Sequence, residues 1–284
     1  GSGCQFPNTQ AFGLFNKNHF HHCWGQSDGE GQMDCWFHDD LADFNTESKE
    51  AQDYLINAYN KYIDMGVDGF RVDTAAHIQR VMFNRHFIPA AKQRASEKFG
   101  AKGQNFYMAA EVGHFVNDKW NRGTPNLSQQ FITWKERKEY SADDALAVHE
   151  QWKYEESQGT DGQPSSNNAF LIGNDYHTPD YTKCSGMSVI DIRMSMNFES
   201  AGNAFGNLKD NDSADCDATK SLVYVNAHDY SPPGKSSISM DFSTAAWAEN
   251  MSLMWTNRGI PTIFQGTEVE FGDGKSIDWC GTGC

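Results

Sequence analysis

The sequence predicts an α/β fold built on a parallel sheet with helical crossovers. Three observations predict it. Helical stretches with an apolar stripe alternate with short apolar runs from residue 50 to residue 264. The runs are almost continuously apolar, as strands covered on both faces by helices are. Three of them end on a carboxylate, and in parallel α/β folds ligands sit at the carboxyl ends of the strands.

Residues 1–48 are rich in Gly, Asn, His and Asp and show no periodicity, so they read as an ordered, loop-dominated region. In 50–65, Ala51, Tyr54, Leu55, Ala58, Tyr59, Tyr62 and Ile63 fall on one helical stripe, and Gly66 closes the helix. A strand at 67–72 ends at Asp73. Residues 78–99 read as a helix that Pro89 kinks or splits. The run 106–112 is a strand interrupted by a single charge, Glu111. Helix 143–155, strand 188–194 and a short helix at 200–208 come next. Strand 221–225 runs into Asn226-Ala227-His228-Asp229. Helix 243–257 stops at Gly259, and a last strand at 260–264 leads to Gln265-Gly266. The polar stretch 113–186, with Trp120, Trp134 and Trp152, is an insertion after the second strand.

Composition narrows the function. The 284 residues carry 38 acidic and 23 basic side chains, a net charge of −15. Such a surface repels phosphate backbones, which argues against nucleic-acid binding. No apolar run approaches the ~18 residues of a membrane span. Aromatic residues make up 13% in a chain of mean hydropathy −0.67. Flat rings among many polar groups suit a sugar cleft, but composition alone favours the plainer reading, a core rich in Phe. The seven cysteines cannot all pair within one chain, and Cys23 with Cys35 could staple a loop.

The carboxylates Asp73, Glu111 and Asp229 end three strands. One charged residue at the end of a buried strand could be an ion-pair partner; three at one rim point to chemistry. Glycoside hydrolysis needs a carboxylate that attacks the anomeric carbon and a carboxylic acid that protonates the leaving oxygen. Glu111 lies among Met108, Ala109, Ala110 and Val112, an apolar setting expected to favour its protonated form. Arg71 precedes Asp73 by two residues and so shares its face of the strand, where a guanidinium favours the ionised nucleophile.

These residues resemble a known family. Gly69-Phe70-Arg71-Val72-Asp73-Thr74-Ala75-Ala76-His77 is similar to the nucleophile strand of the α-amylase family of glycoside hydrolases (family 13 type). Ala109-Ala110-Glu111-Val112 resembles its acid/base strand, and Val225-Asn226-Ala227-His228-Asp229 its third-carboxylate strand. Leu41-Ala42-Asp43-Phe44-Asn45 resembles the short motif of its loop domain, most of all in cyclodextrin glucanotransferase-like and cyclomaltodextrinase-like members. Gly259-Ile260-Pro261-Thr262 with Gln265-Gly266-Thr267-Glu268 resembles its eighth strand and the loop after it.

The resemblance implies a (β/α)8 TIM barrel and a retaining mechanism on α-1,4-glucosidic bonds of starch-type glucans. Asp73 is then the nucleophile, Glu111 the general acid/base and Asp229 the residue that holds hydroxyls of the distorted sugar. Arg71 orients Asp73, while His228 and His77 line the sugar site. Structural calcium is implied, held by the Asp43 carboxylate and the His77 carbonyl. An extracellular or cell-surface location is implied by a polymeric substrate. The chain departs from the pattern at Ala76, where the family often has Lys, and at Asn226, where it often has Glu. The family's first motif, Asp followed by Asn-His, does not occur. Residues 1–48 are therefore expected to be part of loop domain B, and 49–284 part of the barrel, with strands four to eight present. Such a chain reads as a fragment, which Gly1-Ser2-Gly3, with the look of a cut edge, also suggests.

Two alternatives share these features. In a transglycosylase, a sugar hydroxyl intercepts the glycosyl-enzyme. In a non-catalytic carbohydrate-binding protein, the barrel has decayed, as Ala76 and the missing first motif would suggest. Other motifs weigh less. His19, His21 and His22 with Cys23 match no standard zinc spacing, and Asp39-Asp40 suits a solvated turn. Asn126-Leu127-Ser128 and Asn250-Met251-Ser252 fit a glycosylation pattern common by chance. No Walker loop, Rossmann glycine fingerprint, Gly-x-Ser-x-Gly elbow or His-Glu-x-x-His is present.

Overall fold

The structure, a computed structural model, describes residues 17–23, 34–36, 42–112, 132–158, 180–192, 216–225, 227 and 244–269. The first long element is α1, Lys49–Met65, capped by Gly66 at φ 102°, whose N–H donates to the carbonyls of Ile63 and Tyr62. Left-handed φ suits glycine, as the sequence predicts. The stripe expected to face the core is only partly buried. Ala51 and Ile63 are covered, whereas Tyr54, Tyr59 and Tyr62 are 40%, 37% and 56% exposed. Tyrosine has an apolar body and a polar tip, so it marks a stripe without having to be buried.

The strands are shorter than their apolar runs. β1 (Gly69–Val72) pairs in parallel with β2 (Tyr107–Ala110), from Gly69↔Tyr107 to Val72↔Ala110. A Cβ on Gly69 would lie 2.5 Å from the Tyr107 carbonyl oxygen, so this pairing needs glycine there. β2 pairs in parallel with β3 (Ser188–Val189). β4 (Leu222–Val223) pairs in parallel with β5 (Ile260–Pro261). A parallel bridge from Ile190 to Leu222 joins the two sheets. The five strands thus lie side by side in chain order, as the alternating pattern predicts. Among the described residues they form an open array, not a closed barrel.

Burial on both faces holds for β2, where Met108, Ala109 and Ala110 are 3%, 0% and 0% exposed. It fails at β1, where Arg71 faces solvent, and at β5, where Ile260 is 38% exposed. Those two strands flank the array on either side, and neither has a second neighbour among the described residues.

The helical stretch after β1 is interrupted before Pro89, not at it. α2 (Arg80–Met82) passes through a π-helical turn, Phe83–Phe87, into α3 (Ile88–Phe99), with Pro89 in its first turn. Proline has no N–H and crowds the carbonyl four residues back, so the wider turn falls just upstream. α4 (Asp144–Gln158) lies inside the predicted insertion, yet it belongs to the main core. Its Ala147 and Val148 pack in the same cluster as Ile63, Val81, Met108 and Val189. α5 (Thr244–Thr256) covers Val223 and Val225 with Met251 and Met254. The predicted helix at 200–208 lies outside the described residues. No described helix is long and apolar enough to cross a membrane. Disulfides join Cys23 to Cys35 and Cys184 to Cys216.

Candidate active site

Parallel pairing in register brings the ends of β1 and β2 together. Val72 is opposite Ala110, and the Glu111 N–H donates to the Val72 carbonyl at 2.8 Å. The next side chains on the two strands are therefore Asp73 and Glu111. Arg71, two residues before Asp73, ion-pairs with its Oδ1 through Nη1. The same guanidinium places Nη2 3.3 Å from Glu111 Oε2. One arginine thus touches both carboxylates. They differ in access: the Asp73 side chain is 62% exposed and that of Glu111 12%. Buried Ala109, Ala110 and Val112 surround the base of Glu111, while its carboxylate meets polar donors.

One of those donors was not foreseen from the sequence. Thr74 has φ 47° and ψ 34°, the left-handed region, and is the only non-glycine residue with positive φ among those described. That conformation turns the chain sharply after Asp73 into a 3-10 turn, Ala75–His77. It also aims the Thr74 N–H at Glu111 Oε2, 3.1 Å away. A β-branched residue there is strained, and strain of this kind collects at functional sites. Nothing in residue type signals it.

His77 closes the 3-10 turn, its N–H donating to the Thr74 carbonyl at 2.9 Å. A positive charge on His77 would favour the ionised form of Asp43. Asp43 sits beside His21, with Oδ2 2.5 Å from Nδ1, and Glu47 Oε2 is 2.7 Å from Nε2 on the other side. A ring nitrogen bonds an ionised carboxylate only as a donor, so with both carboxylates ionised His21 holds a proton on each nitrogen. Burial alone would lower its pKa, but the hydrogen bonds to Asp43 and Glu47 win and push it up to about 10. Burial, with help from the Glu47 charge, pushes Asp43 upward against the pull of His21. The charged imidazolium is the state we assign, because both of its contacts need it.

This bracket accounts for one of the histidines weighed as metal ligands. Cys23 is in a disulfide and offers no thiolate. Among the described residues no group of three or more His, Cys, Asp or Glu side chains is arranged to hold a metal. Asp43, the carboxylate expected at calcium, is a hard oxygen donor with Oδ2 engaged by His21 and Oδ1 in no hydrogen bond among the described residues.

Asn226, His228 and Asp229 lie outside the described residues. β4 carries the chain as far as the buried Val225, and Ala227 packs on Ile190, Ile192 and Tyr224. Chemically, the described part of the site is an exposed carboxylate and a largely covered one, bridged by a guanidinium at the carboxyl ends of neighbouring parallel strands. Such a pair can divide the roles of nucleophile and proton donor.

A family model described as alpha amylase, catalytic domain, matches residues 15–280. Solved structures with a similar fold include a cyclomaltodextrin glucanotransferase, CldA, with a three-domain ABC distribution. It is 17% identical at TM-score 0.54, and the match covers 89% of this chain and 40% of that one. An alpha-amylase from Malbranchea cinnamomea is 14% identical at TM-score 0.52, covering 95% of this chain and 44% of that one. An Anoxybacillus alpha-amylase is 15% identical at TM-score 0.51, covering 92% and 46%. The chain thus spans less than half the length of these structures. No curated protein matches it.

Proposed function

Because the chain belongs to the α-amylase family through its catalytic domain, we propose that it carries the chemistry of a retaining α-glucan hydrolase acting on α-1,4-glucosidic bonds. The observation that supports this most is Arg71 joining Asp73 to Glu111 at the ends of two paired parallel strands. In this reading Asp73, the exposed carboxylate, attacks the anomeric carbon and becomes a glycosyl ester. Glu111 gives its proton to the leaving oxygen, then takes one from the water that hydrolyses the ester. Arg71 orients Asp73, and the Thr74 N–H fixes Glu111. Asp229, His228 and His77 would meet the hydroxyls of the sugar held by Asp73. The barrel strands present would be numbers four to eight, with 1–48 as part of the loop domain.

Replacing Asp73 by Asn in the complete enzyme should cut glucan hydrolysis by orders of magnitude. A proton NMR time course with maltoheptaose should show the α-anomer first. Near-normal turnover by D73N, or the β-anomer as first product, would reject the reading.

Transglycosylation is the second reading, supported by the Leu41–Asn45 motif. Cyclic or lengthened glucans in the product chromatogram would favour it; reducing-end hydrolysis products alone would reject it. Calcium is proposed at Asp43 Oδ1 and the His77 carbonyl, where it would tie the loop region to the turn after β1. A melting temperature unchanged between chelator and added calcium would remove that proposal. An extracellular or cell-surface location fits two disulfides, which persist in oxidising compartments.

A further inference from the structure

The pole of the sheet opposite Asp73 and Glu111 holds a cavity of about 550 Å³. Its position is set by the topology. It is lined by Phe106 and Tyr107 where β2 begins, by Met187 and Ser188 where β3 begins, and by Ile260, the first residue of β5. It therefore opens at the amino ends of the parallel strands, away from the proposed hydrolytic chemistry, and a ligand held there is independent of that reading.

Three lysines line this cavity, Lys92 from α3, Lys135 from the segment before α4 and Lys220 from the turn before β4, against one carboxylate, Asp217. Their meeting is unexpected in a chain of net charge −15. Lys220 is partly satisfied, with Nζ 3.7 Å from Asp217 Oδ2 and 4.2 Å from the centre of the Tyr181 ring. Lys92 and Lys135 have no carboxylate partner among the described residues. Burial lowers the Lys92 pKa, and the charges of Lys220 and Lys135 lower it further.

The backbone makes room for this convergence. Gly186, at φ 93°, lies under the end of Lys92, and a Cβ there would stand 2.2 Å from Lys92 Nζ. Any other residue would drive the ammonium group away. Thr133 and Ser185 stand on the same wall, where the Ser185 hydroxyl donates to the Ile132 carbonyl at 2.6 Å and the Thr133 hydroxyl accepts from the Cys216 N–H at 3.0 Å, so the lysines supply the donors. Crowded like charges with a shared opening are stabilised by a counter-charge between them, and most by one that is multiply charged and accepts several hydrogen bonds.

We propose that this cavity is an anion site that takes a small dianionic oxyanion of the phosphate class, held between Lys92 and Lys135 with Lys220 behind. The same chemistry is offered by free inorganic phosphate and by a phosphate ester on a sugar. Calorimetric titration of the full chain at low ionic strength, with inorganic phosphate in one arm and glucose 6-phosphate in the other, tests the site and tells the sources apart. Saturable binding is expected in at least one arm, weakened tenfold or more in Lys92→Met and in Lys135→Met and unchanged in Lys61→Met, on α1. Lys135 is exposed, so its replacement keeps the test decisive should Lys92→Met fail to fold. Glucan turnover should be the same in Lys135→Met as in the parent. No saturable binding in either arm, or binding that both cavity variants retain, overturns the proposal.

Discussion

At the scale of single residues, His21 shows how a side chain can organise a region that has no periodicity. Its ring is bonded on both nitrogens by carboxylates 22 and 26 positions along the chain. All three side chains are largely covered, at 14%, 16% and 8% exposed. Removing the imidazolium would leave Asp43 and Glu47 facing each other with no cation between them. Breaking such a buried charge cluster by deleting one partner costs about 3–5 kcal/mol. His21→Ala should therefore unfold at markedly lower urea concentration than the parent, with an unchanged slope; an unshifted midpoint would show that the bracket does not stabilise the fold. The sequence makes Asp73, Arg71 and Glu111 legible, because strand ends and the two-residue alternation place them without knowledge of the rest. It does not make His21 or Thr74 legible. The first depends on a contact across an aperiodic loop, and the second on a backbone conformation that a threonine does not advertise.

At the scale of elements, the alternating pattern locates the α-helices and strands among the described residues, but it misses the 3-10 helices, such as Gly100–Asn105, and overstates the strands. Within the run 188–194, the described residues 188–192 give β3 of two residues plus a bridge, because the chain leaves β2 after Ile190 to reach β4. The insertion 113–186 reads from its polarity as an addition to the fold. Its helix α4 is instead fastened to α2 by a buried ion pair, Arg80 Nη2 to Glu155 Oε1 at 2.7 Å, with both side chains fully covered. Arg137 bonds the other oxygen of Glu155, and the Gln151 side chain accepts from the Val81 N–H at 2.9 Å. Polar residues in this helix are therefore core residues, which is why its apolar stripe is weak. Glu155→Ala removes the carboxylate that two guanidinium groups share, one of them wholly buried. It should cost about 3–5 kcal/mol, read as a fall in melting temperature, whereas replacing Arg80 and Glu155 together by Met and Leu should cost much less. Equal losses in the single and double variants would mean that packing, not charge, holds α4 in place.

At the scale of the whole molecule, the two sheets meet through little hydrogen bonding. The Ile190–Leu222 bridge is made in part by the Asp191 N–H, which donates to the Leu222 carbonyl at 2.8 Å, and Arg258 Nη1 reaches Asp191 Oδ2 at 2.7 Å from the loop before β5. Tyr107 adds its hydroxyl, which donates to the Lys220 carbonyl at 2.6 Å. The covalent link across this seam is Cys184–Cys216, which joins the segment before β3 to the segment before β4 over 32 residues. Trp134 packs against it. A cross-link of that span removes about 3–4 kcal/mol of chain entropy from the unfolded state. Cys23–Cys35 closes only 12 residues within the loop region and restrains no strand. Paired replacement of Cys184 and Cys216 by Ala should therefore lower the urea midpoint more than the same change at Cys23 and Cys35. It should also raise amide exchange first in β4 and β5, the strands held by the weaker side of the seam. Exchange that rises evenly through all five strands would mean instead that the array unfolds as one unit and that the seam is as strong as the ladders beside it.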